Sequence, residues 1–242
     1  MNHSGERLSN MIHTILFDLD GTLLDTLEDL SDSVNAVMRS YSLPEHDTES
    51  VRLFVGNGIG KLMERAMPAN TEKAVLEESI ARFREFYGQN QSRKTKPYTG
   101  VEQMLSELNR AGYSLGVVTN KYEAAAQKLC THFFGDIFGA VLGDVPERAR
   151  KPLPDGVYEA IHRLGGCLEE SVYIGDSETD VKTAKQAGLP CIGVSWGFRG
   201  RGVLTAAGAE FIADTPEDIL KYLSNHTANC VSKQNPNRNS EG

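Results

Sequence analysis

Cysteine is scarce in this 242-residue chain: Cys130, Cys167, Cys191 and Cys230 stand far apart, with no CxxC pair. That spacing signals neither a disulfide framework nor a cysteine zinc site, and it points to reduced thiols in a cytoplasmic protein. The six histidines fall in no HExxH or comparable ligand spacing. No apolar run approaches the ~20 residues of a membrane span, and Met1 to Asn10 lack the apolar stretch of a secretory signal. Positive charge is also short, with 25 Lys and Arg against 33 Asp and Glu and a formal net charge of -8. An acidic chain argues against a nucleic-acid groove, because phosphate backbones need a basic field. It leaves open a small anionic substrate held locally by metal and backbone amides.

What is present is an alternation. Short apolar runs read as buried strands at Thr14–Phe17, Ser114–Val118, Ala140–Leu142, Val172–Ile174, Cys191–Val194 and Phe211–Ala213. Between the later ones, Val101, Leu105 and Leu108, then Val157, Ile161 and Leu164, then Val181, Ala184 and Ala187 recur at helical spacing. Strands alternating with helices predict an α/β fold, a Rossmann-like parallel sheet covered by helices on both faces. Residues 26–97 break the pattern. Leu27, Leu30, Val34, Val37 and Tyr41 predict one helix, Ile59, Leu62, Met63 and Ala66 a second, and Glu72 to Tyr87 a third. This is a helical insert after the first strand, with Arg93 to Lys96 and Pro97 as the return linker. The expected organisation is therefore a tail at 1–10, an α/β core made of 11–25 and 98–224, a helical cap at 26–97, and a disordered tail at 225–242.

Reactive groups collect at four strand ends, where parallel sheets place their sites. The first strand ends in Asp18-Leu19-Asp20-Gly21-Thr22. Two carboxylates one residue apart can share a divalent cation, one attacking phosphorus while the other moves protons. The second strand ends in Thr119-Asn120-Lys121. The third is followed by Arg150, Lys151 and Pro152-Leu153-Pro154. The fourth ends in Gly175-Asp176-Ser177-Glu178-Thr179-Asp180. Each alone has a plain alternative, a helix cap or a solvated loop charge, but four coincident strand ends favour one site. Magnesium prefers carboxylate, water and substrate oxygens. Asp18 and Asp176 would supply side-chain ligands and Asp20 its backbone carbonyl, with Asp180 orienting the ligands one helical turn later. Thr119, Lys151 and backbone amides from Leu19 to Thr22 would hold the phosphoryl oxygens. Thr22 and Asn120 are expected at the substrate.

These four motifs, in this order, resemble the haloacid dehalogenase superfamily of phosphohydrolases across residues 11 to 224. The resemblance implies a magnesium-dependent phosphatase acting on a small phosphorylated metabolite through an aspartyl-phosphate on Asp18, with the insert as a C1-type cap. Asp20 separates the chain from relatives that dehalogenate carbon, and Gly175-Asp176 with Asp180 separates it from the β-phosphoglucomutase pattern. In the cap, Val55 to Ala66 resembles the substrate loop of bacterial phosphoglycolate phosphatases, which makes 2-phosphoglycolate the expected substrate. Asn57, Gly58 and Lys61 are the expected cap contacts, with Arg65 a further source of charge. The alternatives are a phosphatase for a sugar phosphate, nucleotide or pyrophosphate, a phosphomutase, and a non-catalytic binding protein on the same scaffold. Trp196 to Gly200 reads as a flexible surface loop at the rim, with Arg199 in reach of substrate or cap.

Overall fold

The computed structural model describes residues 11–233. In chain order its elements are β1 (Thr14–Phe17), β2 (Leu24–Asp25), α1 (Leu27–Ser40), α2 (Thr48–Phe54), α3 (Gly58–Ala66), α4 (Lys73–Asn90), β3 (Lys96–Pro97) and α5 (Val101–Arg110). There follow β4 (Ser114–Tyr122), α6 (Glu123–Phe134), β5 (Ala140–Asp144), α7 (Asp155–Arg163), β6 (Ser171–Gly175), α8 (Glu178–Ala187), β7 (Cys191–Val194), α9 (Gly200–Ala207), β8 (Phe211–Ala213) and α10 (Pro216–Lys233).

Six strands form one sheet in the order β5-β4-β1-β6-β7-β8, and every neighbouring pair in it is parallel. The period-two alternation of strands divides the side chains between two faces. Ile15 and Phe17 of β1, with Val172 and Ile174 of β6, join the apolar cluster that also holds Val101, Leu105 and Leu129. Leu16 and Tyr173 join the opposite cluster, with Val157, Ile161, Val181 and Ala184. Both faces are covered, which is why these strands are continuous apolar runs and do not alternate with polar residues. Phe17 is fully buried; truncating such a side chain to Ala typically costs about 3–5 kcal/mol.

After leaving β1 the chain builds outward through β4 and β5, then returns to the other side of β1 at β6. The reversal places β1 at a topological switch point, and the crevice beyond the strand ends opens there. Over it lie α1 to α4, which bury a core of their own around Leu30, Val34, Met63 and Phe83.

Three features differ from the sequence expectations. Helix α2 lies in a stretch with no expected element: it is seven residues long with only Val51 buried, too short to show a helical period. The return linker pairs as an antiparallel strand, Lys96 opposite Asp25 and Pro97 opposite Leu24, and two-residue strands leave no pattern to read. Helix α10 continues to Lys233, which corrects the start of the disordered tail at 225. No Gly or Pro lies between Pro216 and Lys233 to stop propagation. The tails assigned to 1–10 and to 234–242 lie outside the described residues.

Candidate active site

The turn after β1 is tight because Leu19 O accepts from the amides of Leu23 and Leu24 at 3.0 Å and of Thr22 at 3.3 Å. Gly21 has φ +84, and a Cβ there would stand 2.5 Å from Asp176 Oδ2. Glycine is thus required twice, for its left-handed backbone and for the close approach of Asp176. The turn also occupies its own amides: Leu19 N–H donates to Asp18 Oδ1 at 2.7 Å, and Gly21 N–H donates to Leu24 O at 2.9 Å. Of the amides from Leu19 to Thr22 expected at the phosphoryl group, those of Leu19, Gly21 and Thr22 thus have partners within the turn.

Asp18, at the end of β1, pairs with Lys151 Nζ at 2.9 Å, and the same ammonium pairs with Asp180 at 2.7 Å. Tyr173 Oη lies 3.1 Å from Lys151 Nζ and donates to Val118 O at 2.6 Å. Burial disfavours the Lys151 charge, but Asp18 and Asp180 outweigh it and hold the ammonium well above its ordinary value. Burial pushes the Asp18 carboxyl up to about 6 against the pull of Lys151, with Asp180 adding to the rise. Asp176 is raised well above the carboxylate range by burial, then by Asp180 and Asp18.

Asp20 faces a different set of partners. Its Oδ1 accepts from Lys121 Nζ at 2.9 Å and from Thr26 Oγ at 2.8 Å, and its Oδ2 from Lys121 at 3.1 Å. Lys121 Nζ also donates to Tyr87 Oη of α4 at 2.6 Å. Burial disfavours the Lys121 charge, but Asp20 and Tyr87 outweigh it and hold the ammonium above its ordinary value. Two aspartates one residue apart therefore each have their own lysine. Lys121 and Tyr87 carry no role in the sequence expectations. The available signal is the period of two, which sets Lys121 on the same face of β4 as Thr119.

Asp18, Asp176 and Asp180 each offer an oxygen, all within 4.8 Å of one another. Three buried carboxyl groups crowd against one ammonium, and an all-oxygen donor set fits a hard divalent cation. Within it the roles divide. Asp180 Oδ1 is taken by Lys151, and its Oδ2 by the amide and hydroxyl of Ser177 at 3.0 and 2.6 Å. Those bonds close a capping box that starts α8, so Asp180 anchors the cluster. Asp176 Oδ2 accepts from the Phe198 amide at 2.7 Å, while Asp176 and Asp18 line the cavity.

The cavity is about 260 Å³ and lies between the strand ends and the helices above. Asp18, Asp20, Thr119, Lys121 and Asp176 line its floor, and Leu30, Val55, Ile59, Leu62, Phe83 and Phe198 its apolar walls. Of the expected substrate contacts, Gly58 and Asn120 line it. Asn120 is already engaged: its amide donates to Gly56 O and Lys151 O at 3.1 Å and accepts from Lys151 N–H at 2.9 Å. Asn57, Lys61, Thr22 and Lys151 are not among the lining residues. Asn57 accepts from Arg65 at 2.8 Å, and Lys61 pairs with Glu64 at the exposed surface of α3. Thr22 is buried, its hydroxyl without a partner, and its carbonyl accepts from Trp196 Nε1. Lys151 stands behind Asp18, with only 4% of its side chain exposed. Arg199 is not part of a free surface loop either: its side chain is 14% exposed, and its guanidinium donates to Arg52 O and Val55 O.

The profile of the haloacid dehalogenase-like hydrolases matches residues 15–194 of this chain. Among curated proteins, the phosphoglycolate phosphatase of Mesorhizobium japonicum is 37% identical over 193 residues, covering 78% of this chain and 85% of its own length. That of Caulobacter vibrioides is 34% identical over 221 residues, covering 90% and 93%. Among solved structures, a candidate phosphoglycolate phosphatase from Lactobacillus delbrueckii subsp. bulgaricus superposes with a TM-score of 0.84 at 29% identity, covering 88% of this chain and 99% of its own.

Proposed function

The chain belongs to the haloacid dehalogenase-like hydrolases and is a phosphoric monoester hydrolase; from that premise we propose that it hydrolyses 2-phosphoglycolate, with magnesium as cofactor, through an aspartyl-phosphate on Asp18. The observation that carries the mechanism is the division of partners on one cavity floor, Asp18 with Lys151 and Asp20 with Lys121 and Thr26. An Asp18 oxygen attacks phosphorus, a new P–O bond forms, and the ester P–O bond breaks. Asp20 enters this step in its acid form, having taken up a proton as substrate binds, and gives that proton to the leaving oxygen. Lys121 and Thr26 hold the carboxylate that Asp20 then becomes. Asp20 next takes a proton from water, whose oxygen attacks phosphorus and releases phosphate, returning Asp18 to its free form. Asp18, Asp176 and the Asp20 carbonyl would hold magnesium, which when bound would supply positive charge against the repulsion between the phosphate dianion and Asp18. Thr119 orients the phosphoryl oxygens, and Lys151 offsets the crowded carboxylates from behind Asp18.

Substrate size and cap chemistry support 2-phosphoglycolate. The cavity, at about 260 Å³, is below the roughly 300–1,000 Å³ of ordinary ligand pockets. The first residues of α3, Gly58 and Ile59, line it, and unpaired amides at a helix start suit a carboxylate. The relatives named above carry the same activity in their names. The free thiols of Cys130, Cys167 and Cys191 support a cytoplasmic setting, and among the described residues no helix is long and apolar enough to cross a membrane. With magnesium present, kcat/KM for 2-phosphoglycolate is expected to exceed that for glucose 6-phosphate, a nucleoside monophosphate and pyrophosphate by about tenfold or more. A flat profile overturns the substrate assignment and leaves the hydrolase chemistry standing.

The cation should also show itself in the pH dependence of stability. Asp18 is raised from 3.8 to about 6 and Asp176 is raised further. A carboxyl whose folded pKa is raised contributes stability below its unfolded pKa, and that contribution is lost as pH rises through the folded value. A cation displaces those protons and reverses the loss. The rise in Tm on adding magnesium is therefore expected to be larger at pH 7.5 than at pH 5, measured by calorimetry. An equal or smaller rise at pH 7.5 removes these carboxyls as the ligands.

A further inference from the structure

Two core loops grip one turn of the helical insert, and each is a single bond from the charged centre. The turn is Arg52 to Gly56, at the end of α2. Arg199 donates to Arg52 O at 2.8 Å and to Val55 O at 2.5 Å, and Arg52 donates back to Phe198 O at 2.8 Å. A Cβ on Gly56 would stand 3.4 Å from Arg199 Nη2. From the other side, Asn120 donates to Gly56 O at 3.1 Å. The last carbonyls of a helix lack partners and carry its negative end, and the planar fork of an arginine can satisfy two of them together.

The connection inward is equally direct. Phe198, one residue before Arg199, is buried among the apolar residues of the insert, while its amide donates to Asp176 Oδ2 at 2.7 Å. Gly197 lies so close to Asp176 that a Cβ there would stand 2.3 Å from Asp176 Cβ. The loop Trp196 to Arg199 is thus clamped between Asp176 and the end of α2. If α2 lifts, Phe198 leaves its apolar site and Arg199 loses its two acceptors, and the amide that fixes Asp176 loses its support.

We infer that Arg199 is a positioning residue: it locks the Trp196–Arg199 loop to the end of α2, so that seating of the helical insert sets the placement of Asp176. Divalent-cation affinity and closure of the insert are then linked, and by reciprocity each strengthens the other. The inference rests on the proposed magnesium site at Asp176 for its affinity readout and on the phosphatase reading for its activity readout; the quenching of Trp196 depends on neither.

Trp196 is the one tryptophan of the chain and lies in this loop, its Nε1 donating to Thr22 O at 3.1 Å. Its fluorescence reports directly on the loop. In Arg199→Gln, iodide quenching of Trp196 is expected to increase. The Kd for magnesium, measured by calorimetric titration, should rise about fivefold or more, and kcat/KM for 2-phosphoglycolate should fall about tenfold or more. Arg199→Lys keeps the charge without the fork and should recover only part of each loss. Unchanged quenching together with unchanged magnesium Kd overturns the inference, whatever happens to activity. Should Arg199→Gln not fold, Arg52→Gln removes the reciprocal bond to Phe198 O and must shift quenching and magnesium Kd in the same direction, and its failure to do so also overturns it. If the unaltered protein turns over no phosphate ester, the phosphatase reading falls, while quenching and magnesium affinity still decide the role of Arg199.

Discussion

Asp18→Asn is expected to lower kcat on any phosphate ester by a factor on the order of 10⁴ or more, as removal of a covalent nucleophile does elsewhere, while leaving the fold intact. The amide keeps the acceptor that Leu19 N–H and Lys151 use, but its oxygen is too weak a nucleophile to attack phosphorus. The fold should tolerate the change because the site already disfavours charge at this position, with burial pushing the Asp18 carboxyl up to about 6. Two measurements decide it: steady-state turnover of an aryl phosphate, and Tm by calorimetry. Residual activity within tenfold of the unaltered enzyme would sink the nucleophile assignment. A collapse of Tm would instead mean that Asp18 is a structural partner of Lys151 first.

Lys151→Met should be damaging in both stability and rate. It leaves Asp18 and Asp180 buried without their shared counter-charge, and removing one partner from a buried pair costs about 3–5 kcal/mol. For a chain of this size that corresponds to a Tm lower by roughly 6–20 °C. Turnover should fall about 100-fold or more with the loss of preorganised charge around Asp18. The sign of the pH dependence separates electrostatics from packing. Without Lys151 the Asp18 carboxyl rises further above its ordinary value, so stability held below about pH 4 is lost as pH rises through the raised pKa. The Tm deficit is therefore expected to be smaller at pH 5 than at pH 8. Equal deficits at the two pH values would identify a packing defect in place of an unpaired charge.

The legibility of the fold in the sequence follows from burial. Strand β1 is an apolar run because helices cover both faces of it, and the same holds for β6 and β7. Helix α3 is legible for the complementary reason: Leu62, Met63 and Ala66 are buried, while Lys61 and Glu64 pair outward. That same period argues against Lys61 as a substrate contact, since the face that reaches the cavity is the apolar one. Tyr87 enters the sequence reading only as the end of the third expected helix, yet its hydroxyl meets Lys121. Helical spacing places a residue on a face and says nothing of what lies opposite. Arg199 was hidden for a related reason, because the carbonyls it meets belong to residues 147 and 144 positions away in the chain.

By itself the sequence determined the α/β alternation, the position of the helical insert, and the four strand ends carrying Asp18, Asp20, Thr119, Lys151 and Asp176. Those are local properties, written in periodicity and in the residues that end each strand. Only the tertiary structure decided how the charges pair. Lys151 lies with Asp18 and Asp180, Lys121 with Asp20, the Phe198 amide on Asp176, and Arg199 on the end of α2. The physical reason is that an ion pair or a hydrogen bond depends on distance in space. The crossover from β5 back to β6 brings together strand ends that the chain keeps far apart.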